Sequence, residues 1–128
     1  MADGVLAVGT AIYTRLHAQA TVDVFYALAT QGATPPYTVY QRMVSMDEYT
    51  FGTARLLNAD YMVKVVSNRN WPVEALDVYA HIHDAMQDAP LTVTGFTCLR
   101  CRRKSTIEYR DPDGFWHVGG LYRVEITT

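Results

Sequence analysis

The sequence predicts an α+β fold: an antiparallel or mixed sheet of four to five strands, with two main helices packed on one face. Two segments, residues 4–18 and 70–89, carry apolar residues at helical spacing, and several other segments alternate or are rich in β-branched and aromatic residues. The chain of 128 residues is 49% hydrophobic and 19% charged, which is typical of a folded globular domain. We therefore predict a single domain spanning residues 1–128 that buries its own core.

The first helix is predicted over residues 4–18, with Asp3 as a candidate N-cap. Its apolar stripe consists of Val5, Val8, Ile12 and Leu16. The following segment, Thr21 to Ala29, is apolar without clean alternation, so it predicts only a short strand. A polar, glycine-bearing loop then leads to Pro35 and Pro36. Because proline disfavours the helical region for the residue before it, the chain enters the next segment extended.

Residues 37–44 are aromatic and β-branched and predict a strand, whereas Met46 to Arg55 begins with polar residues and predicts a loop. Leu57 to Val66 alternates cleanly, which is typical of a half-buried strand in an antiparallel sheet. One face of this strand carries Tyr61, Val63 and Val65, and the other carries Asp60, Met62 and Lys64.

The second helix is predicted between a turn at residues 67–70 and Pro90, with Asn70 as its cap and Pro72 in its first turn. Its apolar stripe is predicted to contain Leu76, Tyr79 or Ala80, His83 and Met86. His81 and His83 diverge around such a helix, so they are not expected to bind one metal ion together. We expect His83 to be a hydrogen-bonded residue at the edge of the core.

The C-terminal third predicts further strands. Leu91 to Arg103 is extended, and its apolar residues change face midway, which predicts a β-bulge. Asp111-Pro112-Asp113-Gly114 predicts a turn. Gly120 to Thr128 predicts the last strand, with Tyr122, Val124 and Ile126 facing inward.

The two cysteines, Cys98 and Cys101, are expected to be reduced structural thiols. A metal site needs more ligands than one such pair, and a redox pair favours a helix N-terminus, whereas these lie in a predicted strand. In a regular strand, positions 98 and 101 point to opposite faces. We therefore expect no metal and no cofactor.

The remaining composition excludes several functional classes. The net charge of −2 gives no overall reason to expect nucleic-acid binding. No phosphate loop, nucleophile elbow or zinc-protease motif is present, so we expect no catalytic residues and no enzyme.

No apolar run has the length of a membrane helix, and no signal peptide is visible, so an intracellular product is expected. Catalytic groups distant in sequence can still meet in space, which leaves a small ligand-binding or catalytic α+β domain as an alternative.

Six short phrases, taken in order, resemble the tail-terminator, or tail-completion, proteins of long-tailed bacteriophages. The phrases are Thr30-Gln31-Gly32, Pro35-Pro36-Tyr37, Val39-Tyr40-Gln41, Glu74-Ala75-Leu76, Asp111-Pro112 and Gly120-Leu121-Tyr122-Arg123. This resemblance covers most of the chain. It implies a homo-oligomeric ring, usually a hexamer, that caps the tail tube, stops its polymerisation and offers a surface to the head.

The resemblance also implies partners and a location. The partners are further copies of the chain, the tail tube protein and the head–tail connector proteins. The location is the tail–neck junction of the virion, with assembly in the host cytoplasm. A head–tail joining (neck) protein is the alternative within the same class.

Two sets of contact residues follow from this ring. Tyr49, Phe51 and Arg55 are expected at the subunit or tail-tube interface. Alternatively, the aromatic residues Tyr49 and Phe51 fold back onto their own core. The basic run of Arg100, Arg102, Arg103 and Lys104 is expected to face the channel or a partner. In the channel it would touch DNA non-specifically; elsewhere it would meet an acidic neighbour or solvent.

Overall fold

The computed structural model describes residues 4–19, 21–29, 31–49, 55–87 and 91–127. The elements in order are α1 (Gly4–Gln19), β1 (Val24–Tyr26), β2 (Tyr37–Tyr49), β3 (Arg55–Ser67), α2 (Val73–Met86), β4 (Thr97–Arg110) and β5 (Trp116–Thr127). The strands form one five-stranded sheet in the order β1-β2-β3-β5-β4. β1 runs parallel to β2, and all other pairs are antiparallel. The α+β prediction with a mixed sheet is therefore confirmed.

Both helices pack on one face of the sheet, as predicted. The strands contribute alternate residues to this face, including Tyr61, Val63, Val65, Tyr122, Val124 and Ile126, all of them buried. The helices cover these residues with Val8, Ile12 and Leu16 from α1 and with Ala75, Tyr79, Ile82 and Met86 from α2. We call the opposite face, which carries Asp60, Lys64, Arg123 and Glu125, the open face.

The α2 helix differs from the prediction in its inner stripe and its cap. Ala75 and Ile82 face the core, whereas Leu76 is 42% exposed. Both stripes have helical spacing, and a small residue at Ala75 allows the helix to approach the sheet closely. The N-cap is Pro72, with no side-chain hydrogen bond to the helix, so the prediction of Asn70 as the cap was wrong. The Asn70 carbonyl instead accepts a hydrogen bond from Trp116 Nε1 at 3.2 Å.

The hairpin between β2 and β3 is longer than predicted. β2 continues to Tyr49 and β3 begins at Arg55, and these two residues are paired. The predicted loop from Met46 to Arg55 was therefore wrong at both ends. Polar residues continue the ladder here because backbone groups make the hydrogen bonds of a sheet, whatever side chains they carry. The pairing shifts register between Arg42 and Val44.

The predicted extended segment from Leu91 to Arg103 contains two different structures. Its first residues precede the strand, although Leu91 and Val93 are buried, and β4 begins at Thr97 and continues to Arg110. The predicted bulge is confirmed by register shifts between Cys98 and Arg100 and between Arg103 and Ser105.

The last turn and the last strand are both present as predicted, but the strand is longer than predicted. Gly114 has φ of 90°, and its N–H donates to the Asp111 carbonyl at 2.9 Å, as expected of a glycine-bearing turn. β5 begins four residues earlier than predicted, at Trp116, because it pairs along its whole length with both β3 and β4.

Candidate assembly surfaces

The basic run lies on β4, which is an edge strand of the sheet. Arg100 and Arg102 pair across the ladder with Glu125 and Arg123, so both point to the open face. Arg103 pairs with Tyr122 and points to the helix-covered face. The run is therefore divided between two faces, as strand alternation predicts, and does not form one flat patch.

Two basic residues of this strand form ion pairs with acidic residues of β5 and β3. Arg100 Nε lies 3.1 Å from Glu125 Oε2. Lys104 Nζ lies 3.1 Å from Asp60 Oδ2, and Arg123 Nε donates to Asp60 Oδ1 at 3.0 Å. Burial raises the pKa of Asp60, but hydrogen bonds from Arg123 and Lys104 outweigh burial and set the pKa below its usual 3.8. This ladder of charges ties β4 and β5 to β3 across the open face.

Arg103 ends in a buried polar network that the sequence did not indicate. Its Nη1 donates to Tyr79 Oη at 3.4 Å, and its backbone N–H donates to Gln87 Oε1 at 2.8 Å. Tyr79 Oη lies 2.6 Å from Tyr122 Oη, which in turn lies 2.8 Å from His83 Nδ1. Burial raises the pKa of Tyr122, and the hydrogen bond with Tyr79 raises it further. His83 is thus the hydrogen-bonded boundary residue that the sequence predicted.

The other predicted contact residues lie at the end of the β2–β3 hairpin. The backbones of Tyr49 and Arg55 pair with each other, which brings these two positions together. Phe51 lies outside the described residues. The role of all three as contact residues stays a prediction.

The two cysteines are free thiols, and both lie on the helix-covered face. Cys98 pairs with Ile126 and Cys101 with Val124, because the bulge at Leu99 inserts one residue between them. The expectation of opposite faces for a regular strand therefore does not hold. Within the described ranges, no three His, Cys, Asp or Glu side chains are close enough to hold a metal ion.

An open groove of about 510 Å³ lies between α1 and the segment before β4. Among the described residues, its lining consists of aliphatic and threonine side chains, with Arg15 as the single titratable residue. Arg15 Nη1 donates to the Ala85 carbonyl at 2.7 Å. The described part of its lining does not bring together several titratable groups, as a catalytic site requires.

Large apolar side chains are exposed on several elements, most of all at the start of α2 and after β1. Trp71 is 75% exposed and Val73 is 62% exposed at the start of α2. Leu28 is 81% exposed in the loop after β1, next to Ala27, which has φ of 63°. Exposed clusters of this kind mark interaction surfaces more often than single exposed residues do.

Among the described residues, no helix is both long and apolar enough to cross a membrane.

Comparisons with known proteins agree with this architecture. The family model described as tail completion protein gp17 matches residues 10–127. A chain from the virion of a native gene transfer agent (GTA) particle superposes with a TM-score of 0.77 at 15% identity, with 100% of each chain covered. A second solved chain gives a TM-score of 0.66 at 15% identity, covering 98% of this chain and 96% of its own. At this identity the likeness shows the fold. Among curated proteins, no significant match was found.

Proposed function

The chain belongs to the tail completion protein gp17 family, a family of structural phage tail proteins, and from this premise we propose that it caps the tail tube as a ring. The ring stops tube polymerisation and provides the surface to which the head attaches. The observation that carries this proposal is the family match, which extends over almost the whole domain. The protein performs this work through its surfaces, without catalysis or a cofactor.

The proposed ring, for which we favour six copies, is located at the tail–neck junction of the virion, after assembly in the host cytoplasm. Its partners are the tail tube protein on one side and head–tail connector proteins on the other. Tyr49, Phe51 and Arg55 form the subunit or tube contact. The continuous β2–β3 ladder supports this assignment, because it holds Tyr49 and Arg55 together at one end of the sheet.

We assign the basic strand to a protein partner in preference to channel DNA. Its side chains are divided between two faces, and Asp60 and Glu125 bind Lys104 and Arg100. Non-specific DNA binding gains its affinity from cations that replace counterions along the phosphates, so prior pairing with carboxylates weakens it.

Electron microscopy of particles made with this gene disabled tests the proposal. Tubes of uncontrolled length without heads are the expected result. Tails of normal length that fail to join filled heads would instead assign the protein to head–tail joining. Normal infectious particles would overturn both functions and favour the alternative of a small ligand-binding or catalytic domain.

A further inference from the structure

The α2 helix has a second apolar side that faces away from the core. Val73, Leu76 and Ala80 follow each other at helical spacing and are exposed, with Trp71 just before the helix. We call Trp71, Val73, Leu76 and Ala80 the outer stripe. Tryptophan is enriched among the residues that contribute most to protein interfaces, and Trp71 is 75% exposed. The outer stripe therefore has the composition of a contact surface.

The charges around the outer stripe are acidic. The helix carries Glu74, Asp77 and Asp84 and no lysine or arginine. Arg69 binds Glu74 at 3.2 Å, whereas Asp77 and Asp84 are exposed and no ion pair joins either of them to another described residue. A partner that packs on the outer stripe must therefore bring positive charge.

The β4 strand of a second copy has the matching properties. It carries five basic residues and a single acidic one, Glu108. Its side chains also include exposed apolar groups, with Leu99 at 49% and Tyr109 at 44%. Arg100 keeps 51% of its side chain exposed beside Glu125, so it remains accessible to a further carboxylate.

Two β4 strands are poorly suited to pair with each other. Two register shifts in its pairing with β5 make β4 irregular, and the basic side chains of both copies would face one another. The complement of β4 is therefore a different surface of the neighbouring copy. Contacts between two different surfaces are heterologous. A heterologous contact produces a closed ring when the rotation that relates neighbouring copies, repeated around the ring, leads back to the first copy.

We propose that the outer stripe of α2 in one copy packs against β4 of the next copy, with Asp77 and Asp84 facing the basic strand. This inference rests on the proposed ring and adds to it the two surfaces that make each junction. It also gives the basic run its partner, which is a second copy of the same chain.

Photo-crosslinking in assembled particles tests the contact. A benzoyl-phenylalanine replaces Leu76, which is exposed and lies outside the core, and isotope-labelled and unlabelled copies are mixed to identify crosslinks between copies. The expected crosslinked peptide comes from residues 97–110 of another copy. The same probe at Leu28 is the matched control and is expected to give no peptide from this strand. Crosslinks from position 76 to any other surface or protein would overturn the proposal.

Charge reversal provides the second test. Asp77→Lys with Asp84→Lys is expected to reduce ring formation on tails at least about tenfold, because like charges would then face each other at every junction. Adding Arg102→Glu to the same chain is expected to restore part of the loss. Asp113→Lys, in the exposed turn before β5, is the control and is expected to have no effect.

The outcomes separate this inference from the proposed function. A protein that forms rings on tails normally with Asp77 and Asp84 reversed would refute the α2–β4 contact and leave the cap intact. A wild-type protein that is absent from tails would refute the cap itself.

Discussion

The hydroxyl oxygens of Tyr79 and Tyr122 lie 2.6 Å apart and join α2 to β5 inside the core. Tyr122 is fully buried, and His83 Nδ1 is its second partner at 2.8 Å. Tyr122→Phe leaves both partners without that hydroxyl, so we expect it to lower the free energy of unfolding by about 1–3 kcal/mol. Chemical denaturation measures the change. The control, Tyr13→Phe on the exposed side of α1, is expected to change it by less than about 0.5 kcal/mol. Equal effects of the two substitutions would refute the network.

Gly120 lies close to the hydroxyl of Tyr79. A Cβ at this position would lie 2.7 Å from Tyr79 Oη and 2.8 Å from the Ser105 carbonyl oxygen. We expect Gly120→Ala to destabilise the fold by about 1–3 kcal/mol, because the Ser105 backbone is held in the ladder and cannot move freely. The melting temperature and chemical denaturation measure this.

Gly9→Ala is the matched glycine substitution with the opposite expected sign. Its Cβ would lie 3.5 Å from Tyr61 Oη, an ordinary contact, within α1. Alanine is the better helix former, so we expect a gain of up to about 1 kcal/mol. Destabilisation by both substitutions to the same extent would contradict the packing described for α1 and β5.

The ionised form of Asp60 stabilises the open face. Its folded-state pKa lies below the usual 3.8, so its contribution is present above the unfolded-state pKa and is lost as the pH falls through the folded-state pKa. We expect Asp60→Asn to cost about 1 kcal/mol at pH 7 and progressively less as the pH falls below 3.8. Denaturation curves across this range measure the difference, with Asp113→Asn as the exposed control. A cost for Asp60→Asn that does not change with pH would contradict this role.

The two thiols differ in access although only two residues separate them. Cys101 is completely buried, whereas Cys98 is partly exposed. We expect a thiol reagent to modify one cysteine per chain in the folded protein and both after denaturation, because a buried thiol reacts only when the fold opens. Cys98→Ser is expected to remove the reaction of the folded protein. Rapid modification of Cys101 in that variant would contradict the burial of this site.

Much of the sheet was predictable because strand alternation is a local property. The inward faces of Tyr61, Val63 and Val65, and of Tyr122 and its neighbours, follow from a side-chain period of two along an extended backbone. The turn at residues 111–114 follows from proline, aspartate and glycine, which each restrict or permit particular backbone angles. Even the bulge in β4 was visible as a change of face in the apolar pattern.

Strand length and helix rotation were predicted less well. The polar residues at the end of β2 predict a loop, because side-chain polarity does not reveal whether the backbone has a partner strand. The inner stripe of α2 was misplaced by one residue because Leu76 and Ala75 both continue a helical pattern. The choice between them depends on how closely the helix approaches the sheet.

The sequence by itself therefore determined the fold class, the order of the elements and the faces of the regular strands. These features depend on residues that are neighbours along the chain. Only the tertiary structure decided that Asp60 binds both Lys104 and Arg123, and that the hydroxyl of Tyr79 lies against that of Tyr122. These pairs lie more than forty residues apart, and hydrogen bonds between them exist only where the sheet and α2 bring their side chains within about 3 Å.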